Sequence, residues 1–228
     1  CKYDKLIIAT GADPILPPIS GTDLKGVHTF KTGDDLDLLE SAVMDSKPRK
    51  AVVVGAGAIG VELCQALAKV TQECHLVDIA ASVLPNLIDA DFSKDVQEEI
   101  EALGIALHLN CKVIGIIGDN SVEGVLFDNG ETIALGEAGI VVFAVGMRPN
   151  VGIFKDTPLI IEKQGIVVNS RMETNIRDVY AVGDCTQFIS GINGKVVLGK
   201  LATNAVPMAR VLARNLLGED RTYKGFYN

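Results

Sequence analysis

Residues 50–78, "KAVVVGAGAIGVELCQALAKVTQECHLVD", constrain the fold more than any other stretch of the chain. Ala51, Val52, Val53 and Val54 form an unbroken apolar run rich in β-branched residues, as expected of a strand buried on both faces. Gly55, Gly57 and Gly60 follow in G-x-G-x-x-G spacing, enclosing Ala58 and Ile59. Ile59, Leu63, Ala66, Leu67 and Val70 then recur at helical period, and a second apolar run, 74–77, ends in Asp78. The first glycine permits a tight turn, the second lets backbone approach a pyrophosphate, and the third lets helix and strand pack closely. An acid about 20 residues further on stands where an adenosine ribose is held. A lone glycine pattern would also suit a plain helix–strand crossing. Strand, loop, helix, second strand and terminal acid together predict a Rossmann-like dinucleotide-binding unit. Asp78 would accept hydrogen bonds from a free ribose 2′-hydroxyl and repel a 2′-phosphate. Ile79, Ala80, Ala81 and Ser82 provide no Lys or Arg to receive that phosphate, so NAD is favoured over NADP.

Composition agrees with an α/β chain. Of 228 residues, 48% are hydrophobic but only 5% aromatic, and 23 are glycine, a balance that suits buried parallel strands. The net charge of −8, without a Lys/Arg cluster, argues against a nucleic-acid surface. No apolar run reaches the roughly 18 residues of a membrane span, and no signal peptide is visible. Cys1, Cys64, Cys74, Cys111 and Cys185 are odd in number, widely spaced and free of C-x-x-C, which fits reduced thiols and a cytoplasmic location. The opening "CKYDKLIIATGAD" enters a strand-like run without a Met, so the chain reads as a piece of a longer protein.

Beyond the glycine unit, 91–103 has helical spacing and ends at Gly104, a helix C-cap residue, and 105–109 reads as a third strand. Short β-like runs at 112–117, 122–127 and 131–135, with a hairpin signal at Asp128-Asn129-Gly130, predict a small antiparallel meander. Residues 140–145 then return as a buried parallel strand. At the ends, 5–9 and 179–182 are further strand runs, 13–21 is a proline-rich linker, and 201–217 is a helix. His28, His75 and His108 fall in linker or strand settings without an evident partner, and His108 with Cys111 is too little for a metal site. The expected organisation is a first outer segment at 1–31, a nucleotide-binding unit at 32–150, a second outer segment at 151–220 and a final stretch at 221–228.

Four landmarks in order, "LIIATGADP", "VVVGAGAIGVE", "VVFAVGMRPN" and "VYAVGDC", followed by "LATNA", make the chain resemble the FAD-dependent pyridine nucleotide–disulfide oxidoreductases. The nearest likeness is to the NADH oxidase, NADH peroxidase and coenzyme A-disulfide reductase branch. The resemblance implies an NAD(H)-binding domain inserted into the remaining part of a similar FAD-binding domain. It also implies an oxidoreductase that passes hydride from NADH to FAD and on to oxygen, peroxide or a disulfide. Gly55, Gly57, Ala58, Ile59, Gly60 and Asp78 match the NAD-binding positions, and Gly146 and Glu62 match positions on the nicotinamide side. Glu62 would equally suit a first-turn helix acid. Thr10, Gly11 and Asp184 match residues near FAD. Lys200, Leu201 and Ala202 open the helix whose N-terminal partial charge would favour reduced flavin.

The departures from the pattern also matter. The family's first FAD-binding unit and its redox cysteine would lie upstream of Cys1, so no catalytic residue is expected within the chain. Leu87 stands where some relatives place a Tyr, and "YKGFYN" resembles the start of the dimerisation domain that makes family members homodimers. Cys185 reads as a small packed residue rather than a redox centre. Absence of C-x-x-C disfavours a thioredoxin reductase. A nitrite, ferredoxin or rubredoxin reductase flavin domain, a non-catalytic NAD(H)-sensing module and a plain Rossmann dehydrogenase are the alternatives.

Overall fold

The computed structural model describes residues 2–46 and 50–227; Cys1 and Asn228, at the ends of the two outer segments, lie outside the described residues. In chain order the elements begin with β1 (Leu6–Ile8), β2 (Ala12–Pro14), β3 (Val27–Thr29), α1 (Gly33–Ser46), β4 (Lys50–Val54), α2 (Ala58–Leu67) and β5 (Glu73–Val77). Next come α3 (Ala90–Ala102), β6 (Ile105–His108), β7 (Val113–Ile117), β8 (Gly124–Phe127), β9 (Thr132–Ala134), β10 (Ile140–Phe143) and β11 (Met147–Pro149). The last are β12 (Ile161–Glu162), β13 (Gly165–Ile166), β14 (Val179–Ala181), β15 (Phe188–Ile189), β16 (Val196–Val197) and α4 (Ala202–Leu216). They form two units: Pro14–Gly146, and Cys1–Asp13 with Met147–Asn228.

The central unit is a five-stranded sheet in the order β3-β10-β4-β5-β6, with all neighbours parallel. Its continuous apolar strands are explained by burial on both faces. Ala51 and Val53 of β4 pack with Leu63 and Leu67 of α2, Ile100 of α3 and Leu39 of α1. Val52 and Val54, which point the other way, pack with Val125 and Phe127 of the meander. Full burial of each valine contributes about 1.5–3 kcal/mol before the entropy of ordering is counted.

The meander is an antiparallel sheet in the order β7-β8-β9, turned at Asn129-Gly130 with Gly130 at φ +85°. It replaces the helix that ordinarily crosses between parallel strands. The sheet's outer strand is β3, paired to β10 through Val27, His28 and Thr29. The division into units places 14–31 with the central unit and 147–150 with the outer one, whereas the sequence groups 14–31 with the first outer segment and 147–150 with the nucleotide-binding unit. Helix α1 was not expected from its apolar pattern. Its start is fixed by Asp35, whose carboxylate accepts the Lys31 and Thr32 N–H groups at 2.8 Å, while Thr32 Oγ1 accepts the Asp35 N–H.

The outer unit brings β1 and β14 side by side in parallel, Leu6 opposite Val179 and Ile8 opposite Ala181. Ile8, Ile166, Val179, Ala181 and Cys185 form one core cluster, and Met172, Val182, Phe188, Met208 and Leu212 form another under α4. The final stretch is fastened by the Tyr223 hydroxyl, which donates to Asn204 Oδ1 at 3.0 Å, and by a backbone bridge between Phe226 and Ser190. No helix among the described residues is long and apolar enough to cross a membrane.

Candidate functional site

In the central unit the chain leaves β4 towards β5 and β6 on one side, while β10 lies on the other. Such a reversal of strand order opens a crevice at the carboxyl ends of the strands, the place where open α/β sheets bind ligands. The glycine loop sits there. Gly55 has φ +112°, and a Cβ on it would lie 2.5 Å from the Ala144 carbonyl oxygen, so the turn needs glycine for conformation and for space. A Cβ on Gly60 would come within 1.8 Å of the Gly55 oxygen, so this glycine sets the crossing of α2 over β4.

Gly57 differs from both. Its φ of −76° suits any residue, and a Cβ there would meet no protein atom within 4 Å. It is also the N-cap of α2, and no side chain caps the helix. Open space above an uncapped helix N-terminus is the cradle a pyrophosphate fits, by both its N–H donors and its partial positive charge. Ala58 and Ile59, in the first turn, are exposed, as is Glu62 on the next turn.

Asp78 follows β5 and is half-buried. One carboxylate oxygen accepts the Ala56 N–H of the glycine loop at 2.6 Å, and the other accepts the Ala80 N–H at 2.7 Å. Its own N–H and carbonyl bond to His108 and Cys111. Sequence reasoning gave Asp78 only a ribose; the structure also makes it the tie between loop and sheet. Each oxygen keeps a lone pair for a further donor. Gly146 follows β10 at φ +110°, is exposed, and accepts the Ile15 N–H at 2.9 Å, so backbone conformation alone accounts for the glycine. The whole expected NAD set therefore belongs to one unit, with the glycine loop, Asp78 and Gly146 at the carboxyl ends of β4, β5 and β10.

The expected flavin residues all fall in the outer unit. Thr10-Gly11 and Asp184 follow the paired strands β1 and β14, at the same end of that two-stranded sheet. The Thr10 hydroxyl donates to the Asn150 carbonyl at 2.7 Å, and the Asn150 side-chain amide donates back to the Thr10 carbonyl and to Asp13. Asn150 thus clips this loop, a role that the "MRPN" motif carried without declaring. Asp184 lies in a 3₁₀ turn, Gly183–Cys185. Lys200 fixes that turn: its ammonium donates to the carbonyls of Asp184 at 2.7 Å and Gln164 at 2.9 Å, and reaches that of Thr186 at 3.5 Å. Leu201 is the N-cap of α4 without a side-chain cap bond, and Leu201 and Ala202 are exposed. Cys185 is fully buried and donates to the Val182 carbonyl at 3.3 Å, as a small packed residue would.

Two histidines do have partners, contrary to the sequence reading. His75 Nδ1 lies 3.0 Å from His108 Nε2, and His108 stacks on Phe127 of the meander. They sit on adjacent strands and face the same side, a juxtaposition visible only once the β5–β6 register is known. His75 Nε2 is 2.9 Å from Glu73 Oε1, which also pairs with Lys50 at 2.8 Å. Among the described residues no group of three or more His, Cys, Asp or Glu side chains is placed to hold a metal.

Comparison with known proteins accords with this geometry. Residues 1–209 match the family model described as pyridine nucleotide-disulphide oxidoreductase. An NADH oxidase of Methanocaldococcus jannaschii is 36% identical, over 97% of this chain and 49% of its own length. A nitrite reductase [NAD(P)H] of Bacillus subtilis is 34% identical, over 98% of this chain and 26% of that protein. The water-forming NADH oxidase of Lactobacillus brevis, solved with NADH, superposes with a TM-score of 0.88 at 27% identity, covering 98% of this chain and 48% of that one. The chain spans about half the length of the NADH oxidases it matches and about a quarter of the nitrite reductase. On a family match that runs from residue 1 to residue 209, the chain belongs to the pyridine nucleotide-disulphide oxidoreductases.

Proposed function

We propose that this chain carries the NAD(H)-binding portion, and part of the FAD-binding portion, of a flavoprotein NADH oxidoreductase. When bound, the two cofactors supply hydride transfer from nicotinamide to flavin and onward passage of the electrons to oxygen, peroxide or a disulfide. The residues of the chain bind and orient. The uncapped start of α2 receives the pyrophosphate beside Gly57, and Asp78 takes the adenosine ribose. Gly146 and Glu62 serve the nicotinamide side. Thr10, Gly11 and Asp184 serve the flavin, with the α4 N-terminus at Lys200, Leu201 and Ala202 stabilising negative charge on it. The observation that carries this reading is Gly57: nothing in the protein requires a glycine there, whereas a close-lying pyrophosphate does.

The likeness to a nitrite reductase supports a second reading, a flavin domain that feeds a further redox centre in the same polypeptide. In both readings we place the whole protein in the cytoplasm as a homodimer. The cysteine pattern, without C-x-x-C, and the family resemblance support this. The test is made on the whole protein. Anaerobic NADH should bleach its flavin band, and Asp184→Ala should lower flavin content while leaving NADH affinity within about twofold. A flavin-replete Asp184→Ala protein that has lost NADH affinity would reverse the assignment of the two sites. Assays with oxygen, peroxide, disulfides and nitrite then separate the two readings.

A further inference from the structure

Helix α2 begins at the glycine loop, and strand β5 ends at Asp78. At their opposite ends the same two elements meet through a pair of thiols. Cys64 Sγ and Cys74 Sγ lie 3.1 Å apart, and the Cys74 thiol also reaches the Cys64 carbonyl at 3.5 Å. Both residues are buried, 0% and 2% exposed, among Val53, Leu67, Leu76 and Ile105. Neither has a part in the nucleotide site as described. The two sulfurs face each other in direct contact inside the core. The gap is only about 1 Å beyond an S–S bond of about 2.05 Å, a distance that modest side-chain rotation closes.

We infer that Cys64 and Cys74 form an oxidisable dithiol, which hydrogen peroxide converts to a disulfide that staples α2 to β5. One sulfur gives up its proton and attacks a peroxide oxygen; the O–O bond breaks, leaving a sulfenic acid and water. The second thiol, already in contact, attacks the sulfenyl sulfur; the S–S bond forms, the S–O bond breaks and a second water leaves. In total the two thiols lose two protons and two electrons, and the peroxide becomes two molecules of water. The hydrogen bond shared with Cys74, together with burial, holds the Cys64 thiol well above the usual thiol range. Little Cys64 thiolate is therefore present, and peroxide has to reach a packed core, so oxidation is slow. The adjacent sulfur traps the sulfenic acid before a second peroxide can enter. The inference is independent of which nucleotide the unit binds.

The experiment treats the purified, reduced full chain with hydrogen peroxide, blocks remaining thiols with N-ethylmaleimide in denaturant, and maps peptides by mass spectrometry without reduction. The expected product is a Cys64–Cys74 cross-linked peptide about 2 Da lighter than the two thiol peptides, restored by dithiothreitol. A melting temperature raised by about 5 °C in the oxidised chain is expected from the staple. Cys64→Ala and Cys74→Ala should each abolish both the cross-link and the shift. The wild-type peptide map decides the matter even if a variant folds poorly. Recovery of Cys64 and Cys74 as blocked thiols after half-buried Cys111 has been oxidised would overturn the proposal. Recovery of either residue as a sulfinic acid in place of the cross-link would overturn it equally. An unchanged or lower melting temperature in cross-linked chain would overturn the staple.

Discussion

Gly60 is required by its protein neighbours, whereas Gly57 has none and is assigned to a ligand; substitution separates the two. Alanine at 60 would drive its Cβ to within 1.8 Å of a backbone oxygen. Gly60→Ala should therefore destabilise the central unit by about 3 kcal/mol or more, read from urea unfolding. Alanine at 57 meets nothing in the protein. Gly57→Ala should leave unfolding unchanged within about 0.5 kcal/mol, while NADH affinity falls at least about tenfold, because its methyl group occupies the pyrophosphate's approach. Equal effects of the two variants on stability would mean that the protein itself requires glycine at 57, and unchanged NADH affinity in Gly57→Ala would mean that the open space there admits no pyrophosphate. Spacing made all three glycines legible in the sequence. It did not show that Asp78 ties the loop through the Ala56 N–H, or that Asn150 clips Thr10-Gly11, since both depend on segments meeting in space.

Among the elements, the best-read were those with strong periodicity: β4, β5, α3 and α4 lie within a residue or two of their expected bounds, while α2 ends at Leu67, three residues before the last residue of its expected pattern. β3 was missed because Val27-His28-Thr29 holds one aliphatic residue and no apolar run, although its pairing with β10 completes the sheet. α1 was missed because its apolar residues are largely exposed, although Thr32 and Asp35 were a readable capping signal. The β5–β6 pairing also predicts a pH response. Burial lowers the affinity of both His75 and His108 for a proton. The charges that act on the pair are Glu73 with its partner Lys50, on β5 and β4, and Glu131 in the meander hairpin. Because the folded pKa values lie below the unfolded value of about 6.5, the unfolded chain binds more protons as pH falls through that value. Stability should be full above about pH 7 and decline towards pH 5, read as the urea midpoint. Replacing both histidines with Leu should flatten that decline. An unaltered slope in the double variant would assign the response to other groups.

On the scale of the whole molecule, the two units are built to different standards of burial. The central sheet has five parallel strands covered on both faces. The outer unit's parallel sheet has two, with Ile7 of β1 47% exposed. Native-state hydrogen exchange should therefore leave the amides of β4, β5 and β10 most protected, while those of β1 and β14 exchange at least about a hundredfold faster. Comparable protection would mean that the outer strands are held by more than their described contacts. The α/β class, the inserted unit and the turn at the glycine loop were all readable from one sequence, because buried strands, glycines and the terminal acid each leave a local signature. The His75–His108 pair and the Cys64–Cys74 contact were not, since adjacency across strands leaves none. The central claim is that the carboxyl ends of β4, β5 and β10 hold NAD(H), with Asp78 selecting against a 2′-phosphate. Calorimetric titration of the chain with NADH and then with NADPH tests it most directly. Saturable binding of NADH is predicted, with NADPH weaker by at least about tenfold, or about 1.4 kcal/mol, and with Asp78→Asn narrowing that gap. Failure to bind NADH, or equal or tighter binding of NADPH, would contradict the account.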